Sequence, residues 1–227
     1  MSLYRLHQTS LILKNNVAKF MKGISSNELD APCNAFVDLS GKVIATFPQV
    51  LIGPDELLIM VATSVKEEVI AHIQKYGRLS KTLVDELSLQ VYLDCHGDYL
   101  PQKGEYVCPY MGFQMLTSAH KYAAEIDEAQ FKKWRLDHHI PLHTIDYQNE
   151  MLLNISKDQY VSYGKGCFLG QEVLARVHYK AKPPRRLQVV SASDLSPEER
   201  AKMTSLFKHA ATGEERGFLF VKNKETS

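Results

Sequence analysis

The chain is poor in several things. Four of its 227 residues are cysteine and one is tryptophan. The cysteines, at 33, 95, 108 and 167, make no C-x-x-C pair and no disulfide-like spacing. That excludes a disulfide-stapled secreted scaffold and leads us to expect a reducing, cytoplasmic setting. An excess of one charge is also lacking, since 27 Lys and Arg face 26 Asp and Glu for a net charge of +1. This gives no bulk electrostatic pull toward nucleic acid or an anionic membrane, and neither is expected as a direct partner. No run approaches the roughly 20 apolar residues of a membrane-spanning helix. The N-terminus has neither a hydrophobic signal core nor the Arg- and Ser-rich character of a transit peptide. No internal repeat or low-complexity segment stands out. What remains, 44% hydrophobic and 23% charged, is a globular composition with enough length for one or two cored domains.

Against this plain background one run stands out, Lys165-Gly166-Cys167-Phe168-Leu169-Gly170-Gln171-Glu172. Residues 159–163, Gln-Tyr-Val-Ser-Tyr, read as a strand before it, and residues 172–177 read as the opening of a helix after it. A strand, a glycine-containing turn and a helix start aim backbone N–H groups and a positive dipole end at the turn. A thiol held there has its thiolate favoured by the dipole and by the Lys165 ammonium, so Cys167 is the expected reactive group. The same residues also read as a tight turn around a buried, inert cysteine. Glu172 reads as a first-turn acid that suits the helix dipole, and as a carboxylate able to orient Lys165 or accept a proton. Gln171 is expected to close the turn through its amide. Phosphate loops do not fit: Lys165 is followed by Gly166 rather than Ser or Thr, and Gly164, Gly166 and Gly170 miss the G-x-G-x-x-G frame.

The octapeptide resembles the Lys-Gly-Cys-aromatic-x-Gly-Gln-Glu signature of the YgfZ family of folate-binding proteins, which act in iron–sulfur protein maturation. Residues 17–23 and 34–43, the latter with an Asp38-x-x-Gly41-Lys42 hairpin, resemble the family's N-terminal segment. Residues 75–81 resemble its mid-chain passage, and Ile140-Pro141 its Gly-Ile-Pro loop, with His139 in place of glycine. The resemblance spans residues 1–187. It implies tetrahydrofolate or a derivative as cofactor and iron–sulfur client or assembly proteins as partners, with an indirect effect on tRNA modification. It also implies a site made of Cys167 and Lys165, with Gly166, Phe168, Gly170, Gln171, Glu172 and Asp38 lining the folate side. A folate-dependent aminomethyltransferase like the glycine-cleavage T-protein, which shares the fold, is the alternative. A degenerate module of that fold that binds no folate is another.

Strand signals cover residues 3–13, 43–47, 57–61, 81–87 and 89–93. Helix signals cover 16–21, 66–76 with Gly77 as C-cap, and 126–138 around Trp134. The strand–helix–strand–strand order suggests a ferredoxin-like α+β module. With the resemblance, the expected fold is α+β, a T-protein-like folate-binding fold with ferredoxin-like modules and a shortened C-terminal domain. Residues 1–47 and 126–181 would form a discontinuous domain carrying the motif, and residues 48–125 an inserted ferredoxin-like domain. Residues 182–227, with a helix over 197–209 capped by Ser196 and a strand over 217–222, would stand in place of a β-barrel.

Other groupings have structural readings. His138, His139 and His143 with Asp137 and Asp146 lie about an extended Ile-Pro loop and fit no regular metal-ligand spacing, and no metal is expected. Tyr106, Tyr110, Met111 and Phe113 offer stacking surface for a pterin or simply core. Gln114 stands where the family usually has an arginine. The basic run Lys180, Lys182, Arg185 and Arg186 suits a phosphate or polyglutamate tail, or a solvated linker.

Overall fold

The structure, a computed structural model, describes residues 2–123, 125–156 and 158–223. The first half builds one antiparallel sheet. Its strands are β2 (Gln8–Lys14), β3 (Cys33–Val37), β4 (Val43–Gly53), β5 (Glu56–Ala62) and β6 (Leu83–Leu87), in the order β3-β4-β5-β2-β6. Helices α1 (Val17–Ile24) and α2 (Lys66–Gly77) cover one face. The run Leu57–Ala62 is apolar throughout because β5 is covered on both sides. Leu57, Ile59 and Val61 pack with Phe20, Phe36 and Val69, whereas Met60 turns into the other core.

β1 (Leu3–Leu6) is separated from β2 by His7 and joins a second antiparallel sheet with β7 (Gln90–Asp94), β8 (Tyr106–Tyr110) and β9 (Phe113–Ser118), ordered β1-β7-β9-β8. A larger core lies between the two sheets, closed by α3 (Glu128–Asp137), the short α4 (Leu152–Ile155) and α5 (Gln171–Lys180). A third antiparallel sheet, β10 (Arg185–Ser191), β11 (Thr204–Lys208) and β12 (Glu215–Lys222), runs in the order β10-β12-β11, with one helical turn, α6 (Pro197–Arg200), between β10 and β11.

Several expectations need correction. The strand–helix–strand–strand run is divided between sheets, because β6 pairs with β2 while β7 pairs with β1 and β9. The boundary expected at 47/48 falls inside β4, whose first part pairs with β3 and whose second pairs with β5. Residues 159–163 are not a strand. They are an irregular segment held by single bonds, such as Ser162 N–H to the Ser26 carbonyl (2.9 Å) and Asn27 Nδ2 to the Gln159 carbonyl (3.1 Å). Gly77 remains helical rather than capping α2, and a Cβ there would stand 2.9 Å from the Thr82 carbonyl oxygen. The expected 197–209 helix keeps its Ser196–Glu199 capping box but ends at Arg200, and the β-prone run from Thr204 becomes β11.

Candidate functional site

The motif residues gather where α5, the end of α1 and the β3–β4 hairpin meet. Asp38 makes the hairpin. Its Oδ1 accepts from Ser40 N–H (2.8 Å), Ser40 Oγ (2.7 Å) and Lys42 N–H (3.0 Å). Burial pulls the carboxyl upward, but the bonds from Ser40 and Lys42 outweigh it and hold the group below the usual carboxylate range. Asp38 therefore serves the turn through its side chain and meets the motif through its backbone. Gly170, the N-cap of α5 with φ +81°, fits against it: a Cβ there would run into the Asp38 carbonyl oxygen and stand 2.9 Å from Val37 Cγ2.

Lys165 is placed differently from expectation. Its Nζ is buried and donates to the carbonyls of Met21 (3.0 Å), Ser25 (2.6 Å) and Asn27 (2.6 Å) and to Ser25 Oγ (3.1 Å). These oxygens lie at and beyond the C-terminus of α1, the negative end of its dipole. Burial lowers the Lys165 ammonium to about 8, with the Glu28 carboxylate opposing. The ammonium expected to favour the Cys167 thiolate is thus engaged in binding the loop to α1. Leu169 N–H adds a bond to the Gly23 carbonyl at 3.0 Å.

Phe168 turns inward and joins the larger core, with Lys165 Nζ 5.6 Å from its ring centre. Gln171 closes the turn as expected, its Oε1 accepting from Phe168 N–H at 3.3 Å. Glu172 is exposed in the first turn of α5. Gly166, at φ +92°, lets the chain reverse between the buried Lys165 and Cys167. Cys33, Cys95 and Cys108 are buried, and Cys167 is exposed. The arrangement presents one thiol on a loop whose flanks are fixed in the protein.

A separate cavity of about 470 Å³ opens where β1, the start of β2, the end of β5, α3, residues 142–145 and β11 meet. Tyr4 and Phe131 stack along it with ring centres 3.6 Å apart. Arg135, 3% exposed, binds Asp146 Oδ2 (2.6 Å) through Nη1 and Ser205 Oγ (2.6 Å) through Nη2. Among the described residues its Nε has no partner, and neither do Gln8 Oε1 and the two ring nitrogens of His143, all of them buried atoms. Burial pushes the His143 imidazole down to about 4, so it is neutral at pH 7. Gln8, Arg135 and His143 all line this cavity, whose size and mixed polar and apolar walls suit a small ligand. Motif residues 165–172 do not line this cavity.

Sequence reading missed Arg135, which sits among helix charges and is marked only by its buried partner eleven positions on. His143, one of the histidines grouped with Asp137 and Asp146 in the sequence, lines the cavity. Among the described residues no group of three or more His, Cys, Asp or Glu is placed to hold a metal ion. Of the aromatic candidates, Tyr110 is core, and Phe113 stands edge-on to Trp134 at 4.5 Å.

No protein-family model matches the chain, and no curated protein matches it in sequence. Its structure is similar to the crystal structure of the glycine cleavage system aminomethyltransferase T from Bartonella henselae, with a TM-score of 0.71 at 11% identity. The match covers 97% of this chain and 78% of that one. At that identity the likeness is one of fold, and the chain has the T-protein fold.

Proposed function

We propose that this chain is a folate-binding accessory protein that supports assembly or repair of iron–sulfur clusters in client enzymes, with tRNA modification affected through those clients. Cys167 is its working thiol. The observation that carries this reading is the single exposed cysteine on a loop anchored by Lys165 and by Gly170. An exposed thiol on a braced loop can meet a client's surface and, on losing its proton, serve as a transient cluster ligand, whereas the buried thiols cannot.

The candidate place for tetrahydrofolate is the 470 Å³ cavity, whose volume is within the range of about 300–1,000 Å³ usual for small-molecule sites. Tyr4 and Phe131 offer a flat wall for a pterin, Gln8 and the neutral His143 shape the wall beside it, and Lys132 suits the glutamate carboxylates. Bound there, the folate would supply a one-carbon carrier. The protein's part is to orient it and keep water from its buried face.

The test has two arms. Calorimetric titration of the purified chain with 5-formyltetrahydrofolate should show binding that survives Cys167→Ala and weakens about tenfold or more in Gln8→Leu/His143→Leu. In cells lacking their own YgfZ-like protein, the intact chain should restore the activity of a four-iron enzyme and Cys167→Ala should not. Equal rescue by both chains removes Cys167 from the function. Absence of folate binding favours a degenerate module. The T-protein fold favours a second reading, a tetrahydrofolate-dependent aminomethyltransferase. Aminomethyl transfer that persists in Cys167→Ala would select it.

A further inference from the structure

The third sheet has an open edge. Among the described residues β10 pairs with β12 alone. Asn223 N–H donates to the Pro184 carbonyl at 3.1 Å, and the ladder continues with Arg185 opposite Lys222 and Leu187 opposite Phe220. Hydrogen-bonded and non-bonded pairs alternate in an antiparallel ladder. Arg186, Gln188 and Val190 therefore bond to β12, while Arg185, Leu187 and Val189 turn their N–H and C=O groups away from it.

A groove runs between α4 and the β10–β12 pair, beside this edge. Hollows of about 550, 560 and 250 Å³ lie in sequence beside Pro184–Arg185, Arg186–Gln188 and Leu187–Val189. The first two share Asn154 and Lys222, and the last two share Ile155 and Ser156. Met151, Leu153, Ile155 and Val221 give the groove an apolar floor. Among the described residues, Lys42, Arg185, Arg186 and Lys222 line the first two hollows with one carboxylate, Glu150, which is paired with Arg185. A chain of net charge +1 concentrates cations here.

We propose that the free edge of β10 is a docking site for an extended acidic segment of a partner protein, added as a further strand. The outward backbone groups supply the ladder, the apolar floor takes alternate side chains, and the cations select acidic ones. A second copy of this chain would bring a second set of the same cations to the seam, so charge works against self-pairing. Nucleic acid would satisfy the cations but leave the outward amides and the apolar floor unused, and among the described residues no aromatic side chain lines the first two hollows for base stacking.

The full chain is titrated, by fluorescence anisotropy, with a labelled decapeptide of alternating Glu and Val, with its Lys–Val counterpart, and with a short single-stranded RNA. The Glu–Val peptide should bind, and the other two should not. Arg186→Glu/Lys222→Glu should weaken binding about tenfold or more, and so should Val189→Pro, which deletes one outward N–H but spares the ladder to β12. Amide exchange in the unaltered chain needs no variant. On peptide addition the amides of Arg185, Leu187 and Val189 should slow, while those of Arg186 and Gln188 change little. No peptide binding, binding without that alternating protection, or stronger capture of the RNA each overturns the proposal.

Discussion

A single missing side chain decides the geometry of the motif. Gly170 combines a positive φ with a backbone approach that leaves no room for a methyl group. Gly170→Ala should therefore cost about 2 kcal/mol or more, through strain and through separation of the motif loop from the Asp38 hairpin. Chemical denaturation measures it, and a loss within ~0.5 kcal/mol would show that the hairpin yields easily. Lys165 shows why residue type alone misleads. A lysine two positions from a cysteine suggests thiolate support, yet its reach let it bridge to the end of α1, where buried carbonyls needed donors.

Among elements, the join between α3 and β11 is held by a buried ion pair. Asp146 accepts from Arg135, from Leu142 N–H (2.8 Å), from Thr204 Oγ1 (2.9 Å) and from Ser205 Oγ (2.5 Å), all in the protein interior or near it. Asp146→Ala would leave the Arg135 guanidinium buried without its counter-charge, a loss of about 3–5 kcal/mol. Because β11 hangs on this carboxylate, the third sheet should loosen first. Amide exchange across β11 and β12 should rise before the rest of the fold responds. Uniform acceleration throughout would refute this local role. The same join explains β11 itself: residues 201–209 read as a helix continuing from the Ser196 cap, but Thr204 and Ser205 are claimed by Asp146.

At the scale of the whole molecule, two buried imidazoles tie stability to pH. His72 lies in the α2 core and His143 beside the cavity, each pushed from 6.5 to about 4, chiefly by burial. The unfolded chain binds more protons than the folded one between these values, so stability is fully present above pH 6.5 and is lost as pH falls toward 4. Denaturation midpoints measured across that window should fall with acid, and His143→Gln should flatten the slope. An unchanged slope would mean that His143 gains a partner when protonated.

By itself the sequence determined the local elements with strong patterns. The apolar run of β5, the spacing of Val69 and Ile73 in α2, the Ser196 cap and the Asp38 turn needed only neighbouring residues to act. It also marked the Lys165–Glu172 run as unusual, and the order of residue types there indicated a braced turn leading into a helix. Tertiary structure alone decided which sheet each strand entered, because β6 and β7 have similar local patterns and differ only in the distant partner that covers them. It alone placed Arg135 beside Asp146 and opened a cavity at His143 away from Cys167. Those outcomes depend on burial and on charge pairing between segments far apart in the chain, where the energy of a side chain is set by what packs against it.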